Sequence, residues 1–168
     1  MNWDKYFHNI CESISSKSPC LSRQIGAILV RDNSIISTGY NGPARKVPHC
    51  GNDRLKYDLN LAREIPSIYH NKDVCPRREM NFVSGEGMEW CPAQHAEENC
   101  ISNAARNGVS TLHTTLYMNS VIPCKNCLST LINAGVFEIV VDSTEQYDRY
   151  SKFIIDHSNL YIRTFEYD

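Results

Sequence analysis

The chain has 168 residues, 42% hydrophobic and 21% charged, with a formal net charge of −2. That balance excludes a disordered polymer and gives no electrostatic basis for binding long nucleic acid. No apolar run approaches the roughly 18 residues needed to cross a bilayer, and the opening MNWDKYFHNI lacks the basic-then-apolar pattern of a secretory signal. A cytoplasmic protein is therefore expected, organised as a single domain over residues 1–168. In reducing cytosol its eight cysteines point to metal binding or catalysis rather than structural disulfides.

Trp3, Tyr6, Phe7, Ile10 and Ile14 recur at helical spacing and predict an amphipathic opening helix. QIGAILVR (24–31) and SIISTGY (34–40) read as strands joined by a short turn at Asp32-Asn33, a β-hairpin. An irregular stretch follows from about 43 to 93, with one helix-like piece around Asp53 to Glu64. Regular alternation resumes with a helix over 93–108, closed by Asn107-Gly108, and a strand over 114–119. A helix over 123–135 opens at Pro123 and ends at Gly135, and a strand covers 136–141. A helix over 143–158 and a strand over 160–167 complete the chain. This order predicts an α/β fold with helices on both faces of one sheet.

CPAQHAEEN (91–99) and IPCKNC (122–127) carry the chemistry. His95 lies near the start of one predicted helix, and Cys124 and Cys127 near the start of the next. Helix N-termini carry partial positive charge, which favours thiolates ready for a metal. The Cys-x-x-Cys spacing lets both sulfurs reach one ion from a single turn. Three protein ligands leave a fourth tetrahedral position open, the arrangement of a catalytic zinc. Such an ion lowers the pKa of a bound water toward about 7, and Glu97 is close enough to handle that water's proton without taking a metal position. A Cys-x-x-Cys alone also fits a redox pair or a structural zinc knuckle. The pattern H-x-E…P-C-x-x-C, split over two helix starts, is that of zinc nucleobase deaminases.

HAEEN, PCKNC and GYNGP (39–43), with RQIGAILV and CPRRE…SGEG…C, together resemble the deoxycytidylate (dCMP) deaminases of the cytidine-deaminase-like superfamily. The likeness fades after about residue 142, and Cys100 stands where relatives often carry alanine. The resemblance implies a three-layer α/β/α fold around a central mixed five-stranded sheet. It implies deamination of dCMP to dUMP, a precursor for thymidylate, with Glu97 moving protons between water, N3 of cytosine and the departing ammonia. It places the Ala96 backbone against the pyrimidine, Asn41 on the sugar hydroxyl, Arg23 on the phosphate and Tyr147 beside the base. Arg23 reads equally well as a surface arginine, and Tyr147 better as an ordinary core or surface tyrosine. The resemblance further implies a homohexamer in which dCTP activates and dTTP inhibits, each with Mg²⁺. Tyr40, Asn41 and Gly42 would line that effector site, and Arg106 would transmit its state. A plain turn ending the second strand would also explain Gly42-Pro43.

The long irregular stretch needs a reason. Cys50, Cys75 and Cys91 fall within it and Cys20 precedes the first strand, so four thiolates could hold a second, structural zinc that staples the insert to the body. His49 competes for one position, and separate free thiols are the alternative. Cys11 and Cys100 read as ordinary buried thiols. Two other function classes fit less well. A tRNA adenosine deaminase would call for a basic surface. A zinc-stabilised binding module has no need of Glu97.

Overall fold

The computed structural model describes residues 2–50, 52–70, 73–146 and 148–167. Helix α1 (Trp3–Ser15) starts where the Asn2 side chain accepts the Lys5 backbone N–H at 2.8 Å. Strands β1 (Gly26–Arg31) and β2 (Ser34–Tyr40) form the expected hairpin. Its turn residues Asp32 and Asn33 both have positive φ, 51° and 56°, the hand that matches strand twist. A short β3 (Gly42–Pro43) follows. The irregular stretch contains α2 (Asn52–Tyr57), α3 (Leu59–Glu64) and α4 (Pro76–Glu79). The helix-like piece read around 53–64 is thus broken at Asp58. That carboxylate caps α3 through the Leu61 N–H at 3.0 Å and pairs with Arg54 at 3.1 Å.

A two-residue β4 (Ala93–Gln94) pairs antiparallel with β3 and delivers the chain to α5 (Ala96–Arg106). Then come β5 (Thr114–Val121), α6 (Lys125–Asn133), β6 (Val136–Ser143), α7 (Arg149–Asp156) and β7 (Tyr161–Thr164). The main sheet has the order β2-β1-β5-β6-β7, antiparallel on the β1 side and parallel from β5 to β7. It is the mixed five-stranded sheet expected. Residues 143–158 do not form one helix. The ladder to β5 carries β6 on to Ser143, and α7 begins only after Asp148, which caps it by accepting the Ser151 N–H at 2.8 Å.

The sheet is the middle of three layers. α1 packs Phe7 and Cys11 on Ile28, Tyr117 and Val140 of one face, and Phe165 folds back to close that layer. On the other face Cys100 of α5 and Leu128 and Leu131 of α6 meet Ala27, Leu29, Leu116, Ile139 and Val141, with Ile154 and Ile155 of α7 alongside. Two glycines permit this closeness. A Cβ at Gly26 would stand 2.2 Å from the Cys11 carbonyl oxygen of α1, and one at Gly39 would stand 2.3 Å from the Ala96 oxygen of α5. The second contact seats the first turn of α5 directly on β2. Among the described residues no helix is long and apolar enough to cross a membrane.

A buried polar knot ties the chain's ends to the sheet. Asp4 of α1 accepts from both terminal guanidinium nitrogens of Arg163 in β7, from Nη2 at 3.1 Å, and from the Glu166 N–H at 2.9 Å. Arg163 Nε also donates to Glu138 of β6 at 2.8 Å. Burial pushes the Asp4 carboxyl upward, but the Arg163 and Glu166 hydrogen bonds outweigh it and hold the group below its ordinary 3.8. Its contribution to stability is therefore fully present above pH 3.8 and is lost as pH falls through the lower folded value. Asp4→Asn is expected to unfold with less pH dependence below about pH 4 than the parent, read by denaturant midpoints across pH. Arg163→Met, which strands a carboxylate that is 7% exposed, is expected to lower stability by about 2–4 kcal/mol at neutral pH.

Candidate active site

Two helix starts meet above the C-terminal end of β5. His95 is the N-cap of α5, and its backbone N–H donates to Glu98 one turn on at 3.2 Å. Cys124 is the N-cap of α6, and Cys127 lies in its first turn. α5 begins three residues and α6 two residues later than the sequence signals suggested, so the ligands sit at the helix mouths. His95 Nδ1 lies 3.3 Å from Cys127 Sγ and 3.7 Å from Cys124 Sγ, and the two sulfurs are 3.5 Å apart.

Those three separations test the fit of a metal. Zinc bonds of about 2.3 Å to sulfur and 2.0–2.1 Å to nitrogen, set tetrahedrally, put the donors about 3.5–3.8 Å apart. The triangle formed by His95, Cys124 and Cys127 has nearly that size, so the residues suit a zinc ion with one open position. Among the described residues no other group of three His, Cys, Asp or Glu ligand atoms is drawn as close, within 4.8 Å.

The charges are arranged to match. The hydrogen bond from Cys127 lowers the Cys124 thiol to about 4, with His95 assisting against burial. The hydrogen bond between His95 and Cys124 raises the imidazole to about 9 against burial, and Cys127 is pushed far upward by its contact with Cys124. A divalent cation bound by this trio would displace the protons its members carry. Glu97 is 4% exposed, and burial raises its carboxyl above the ordinary value. Its Oε1 is 3.9 Å from His95 Nδ1, so a proton carrier adjoins the metal triangle without belonging to it.

The ligand loop of α6 is braced from α7. Asp148 accepts the Lys125 N–H at 2.9 Å, and Ser151 Oγ donates to the Pro123 carbonyl at 3.1 Å. Sequence reasoning missed both, because reading 143–158 as one helix left Asp148 inside it.

Glu97 and His95 open onto a cavity of about 400 Å³ lined also by Asn41, Ala96, Ser120 and Arg23. Asn41 Oδ1 accepts from the Ile25 N–H at 2.8 Å and from Ser18 Oγ at 2.7 Å, while Nδ2 donates to the Arg23 carbonyl at 2.8 Å. The side chain thus shapes the loop ahead of β1 and retains one amide N–H. Tyr40 is exposed and outside this cavity's lining, and Gly42 is buried against Pro19. Arg106 is exposed at the far end of α5, about 16 Å along the axis from His95. Tyr147 lies outside the described residues. Arg77 and Arg78 line the cavity too, and sequence reasoning did not single them out. Their adjacency to Cys75 in CPRRE was the available signal.

Around Cys50 the second cysteine group gathers. Burial and then the neighbouring Cys91 raise its thiol to about 11, Cys75 and Cys20 adding to the rise and Arg54 opposing it. The Arg23 N–H donates to Cys20 Sγ at 3.4 Å. The four sulfurs share a neighbourhood without forming a triangle as tight as that at His95. His49 is exposed. Cys11 and Cys100 are fully buried, donating to the Tyr117 and Ala27 carbonyls, and burial raises both thiols.

Residues 1–143 match the family model described as "Cytidine and deoxycytidylate deaminase zinc-binding region". The chain is 28% identical over 166 residues to the deoxycytidylate deaminase of Saccharomyces cerevisiae, covering 99% of this chain and 46% of that protein. It thus spans about half the length of that relative. It is 31% identical over 150 residues to the deoxycytidylate deaminase of Enterobacteria phage T4, covering 81% of this chain and 74% of that one. The dCMP deaminase of cyanophage S-TIM5, solved with dCMP and dUMP, superposes with a TM-score of 0.66 at 17% identity over 96% of this chain and 95% of that one. That likeness shows the fold. The chain belongs to the cytidine and deoxycytidylate deaminase family.

Cys124→Ala is expected to remove one zinc per chain by elemental analysis while far-ultraviolet circular dichroism stays unchanged. Asp148→Ala, which touches no ligand atom, is expected to weaken zinc retention about tenfold in chelator competition, as loss of an outer-shell brace does elsewhere.

Proposed function

We propose, with membership of the cytidine and deoxycytidylate deaminase family as premise, that this protein hydrolyses dCMP to dUMP and ammonia, dUMP serving thymidylate synthesis. The observation that carries the reading is the His95–Cys124–Cys127 triangle with a buried carboxyl, Glu97, beside it at the floor of one cavity. A zinc ion, which those three residues would hold, would supply Lewis acidity and bring a water's pKa to about 7.

The remaining work falls to the chain. Glu97 accepts a proton from the attacking water and delivers it to N3 of the cytosine ring. It then passes the water's second proton to the amine as the C4–N bond breaks, so that C4 gains an oxygen and ammonia leaves. Its low exposure suits a group that must both hold and release a proton. The Ala96 backbone, at the cavity wall, would contact the base. The free Asn41 N–H would meet the sugar hydroxyl, and Arg23 the phosphate.

Two finer readings rest on the resemblance. The first is a structural zinc held by Cys20, Cys50, Cys75 and Cys91, stapling the segment between β3 and β4 to the body of a single deaminase domain. It is supported by the mutual influence of those thiols and by the backbone N–H donated to Cys20. The second is regulation of a homohexamer by Mg-dCTP, as activator, and Mg-dTTP, as inhibitor, at Tyr40, Asn41 and Gly42, with Arg106 transmitting their state. Asn41 lines the catalytic cavity, so a ligand bound beside Tyr40 would be one residue from it. Two nucleotides can act oppositely at one site only if each favours a different subunit arrangement.

Glu97→Ala is expected to stay folded and zinc-loaded yet lose at least about 10²-fold in kcat on dCMP. Turnover at the parent rate would overturn the proton-transfer role. For regulation, the expected curve is sigmoidal in dCMP alone, nearly hyperbolic with Mg-dCTP and depressed with Mg-dTTP. Hyperbolic kinetics indifferent to both nucleotides would remove the effector site and leave the deaminase reading intact.

A further inference from the structure

Helix α5, which carries His95 and Glu97, is tied to the sheet by more than apolar packing. β2 is the outer strand of the main sheet. The Asn41 N–H donates to the Ile25 carbonyl at 3.1 Å, and along an antiparallel pair such bonded positions alternate with positions whose N–H and C=O point outward. Tyr40 and Thr38, opposite Gly26 and Ile28, fall in the outward set, so their carbonyls face the open edge. Two asparagines of α5 reach them. Asn99 Nδ2 donates to the Tyr40 carbonyl at 2.8 Å, and Asn103 Nδ2 donates to the Thr38 carbonyl at 2.8 Å. Arg45 Nη2 donates to Asn103 Oδ1 at 2.8 Å, which fixes the orientation of that amide.

The spacing lets both bonds form at once. Four helix residues rise about 6.0 Å and two strand residues about 6.8 Å, so α5, running antiparallel to β2, meets alternate carbonyls at one-turn intervals. Gly39, between them, lets the helix touch the strand, and Ser37 Oγ donates to the Cys100 carbonyl at 2.7 Å. Ahead of the helix, Gly42 pairs with Gln94 and Pro43 with Ala93. The chain is therefore pinned on both sides of His95 and Glu97. Apolar packing is non-directional and permits a helix to slide along its axis, whereas short directional bonds do not. The cysteine loop of α6 is anchored separately, through Asp148 and Ser151 of α7, so any slide of α5 would move His95 and Glu97 relative to Cys124 and Cys127. We propose that Asn99, with Asn103 behind it, is a positioning residue for the deamination, setting the lengthwise register of α5 on β2 and through it the metal triangle. This rests on the zinc-deaminase reading above and extends it from the ligands to what places them.

Asn99→Ala removes the nearer bond and touches no ligand atom. Because a misplacement of about 1 Å can cost about 10²-fold in rate, its kcat on dCMP per bound zinc is expected to fall about 10- to 100-fold, with KM within about threefold of the parent. Asn99→Gln, which keeps an amide donor on a longer arm, should recover part of the loss. With Co²⁺ in place of zinc, the visible absorption of the thiolate-bound ion reports its coordination geometry, and Asn99→Ala is expected to shift that spectrum. Arg163→Met, which lowers stability at the opposite edge of the sheet, is the control, and its kcat and cobalt spectrum should match the parent. Asn103→Ala, one turn farther from the metal, is expected to lower kcat about two- to fivefold and serves as the deciding variant if Asn99→Ala does not fold. An Asn99→Ala protein with parental kcat and cobalt spectrum, or the same changes in Arg163→Met, would overturn the positioning role. Parental values in Asn103→Ala would do so where Asn99→Ala does not fold. The spectrum needs no turnover, so the two readings fail separately. A parent that does not deaminate dCMP sinks the activity, while a cobalt shift confined to the asparagine variants still supports the register.

Discussion

Everything at the candidate site depends on bringing two helix N-termini together before any ion is bound. Cys124 and Cys127 come from one helix, and only His95, from another, completes a triangle with edges of 3.3–3.7 Å. Each helix mouth contributes partial positive charge, which stabilises thiolate in the absence of metal. The sheet enforces the meeting. α5 can lie flat on β2 because Gly39 has no side chain to hold it off, and α6 leaves β5 where that strand ends beside β1. α7 then fixes the loop from behind through Asp148 and Ser151. The helices are held by apolar packing and the ligand loop by neutral and charged hydrogen bonds, so the two can be perturbed separately.

The segment between β3 and β4 is poor in regular structure, yet it supplies one side of the cavity. Short helices of four to six residues cannot stabilise themselves, and their apolar contribution to the core is small, with Leu61 and Ile65 its buried aliphatic residues. Such a segment needs anchors that act point by point. The hydrogen bonds of Arg77 to two backbone carbonyls are one kind, and a cysteine cluster is another.

Much of this was legible along the chain. The helix and strand periods placed the main elements because each buries one face on the sheet, and burial imposes a period on the sequence. The metal triangle was legible because Cys-x-x-Cys and His-x-Glu spacings follow from local helix geometry. Arg77 and Arg78 were passed over because an arginine pair on a short helix has no spacing that distinguishes a cavity lining from a solvated surface. Asp148 was missed for a similar reason. A cap can be recognised only when the helix start is known, and the continuation of β6 to Ser143 decided that start.

The sequence by itself determined the sheet-forming and helix-forming segments, and its His-x-Glu and Cys-x-x-Cys spacings marked the candidate ligands and the carboxyl beside them, because these depend on periodicity and on contacts within a turn or two. Tertiary structure alone decided which loops share the cavity. It put Asn41, Arg23, Arg77 and Arg78 on one opening, left Arg106 at the remote end of its helix and brought four cysteines from four separate connections into one neighbourhood. The physical reason is that these relations join residues tens of positions apart. Their distances are set by how strands order in the sheet and how closely helices approach it, and nothing in the local pattern of the chain encodes that.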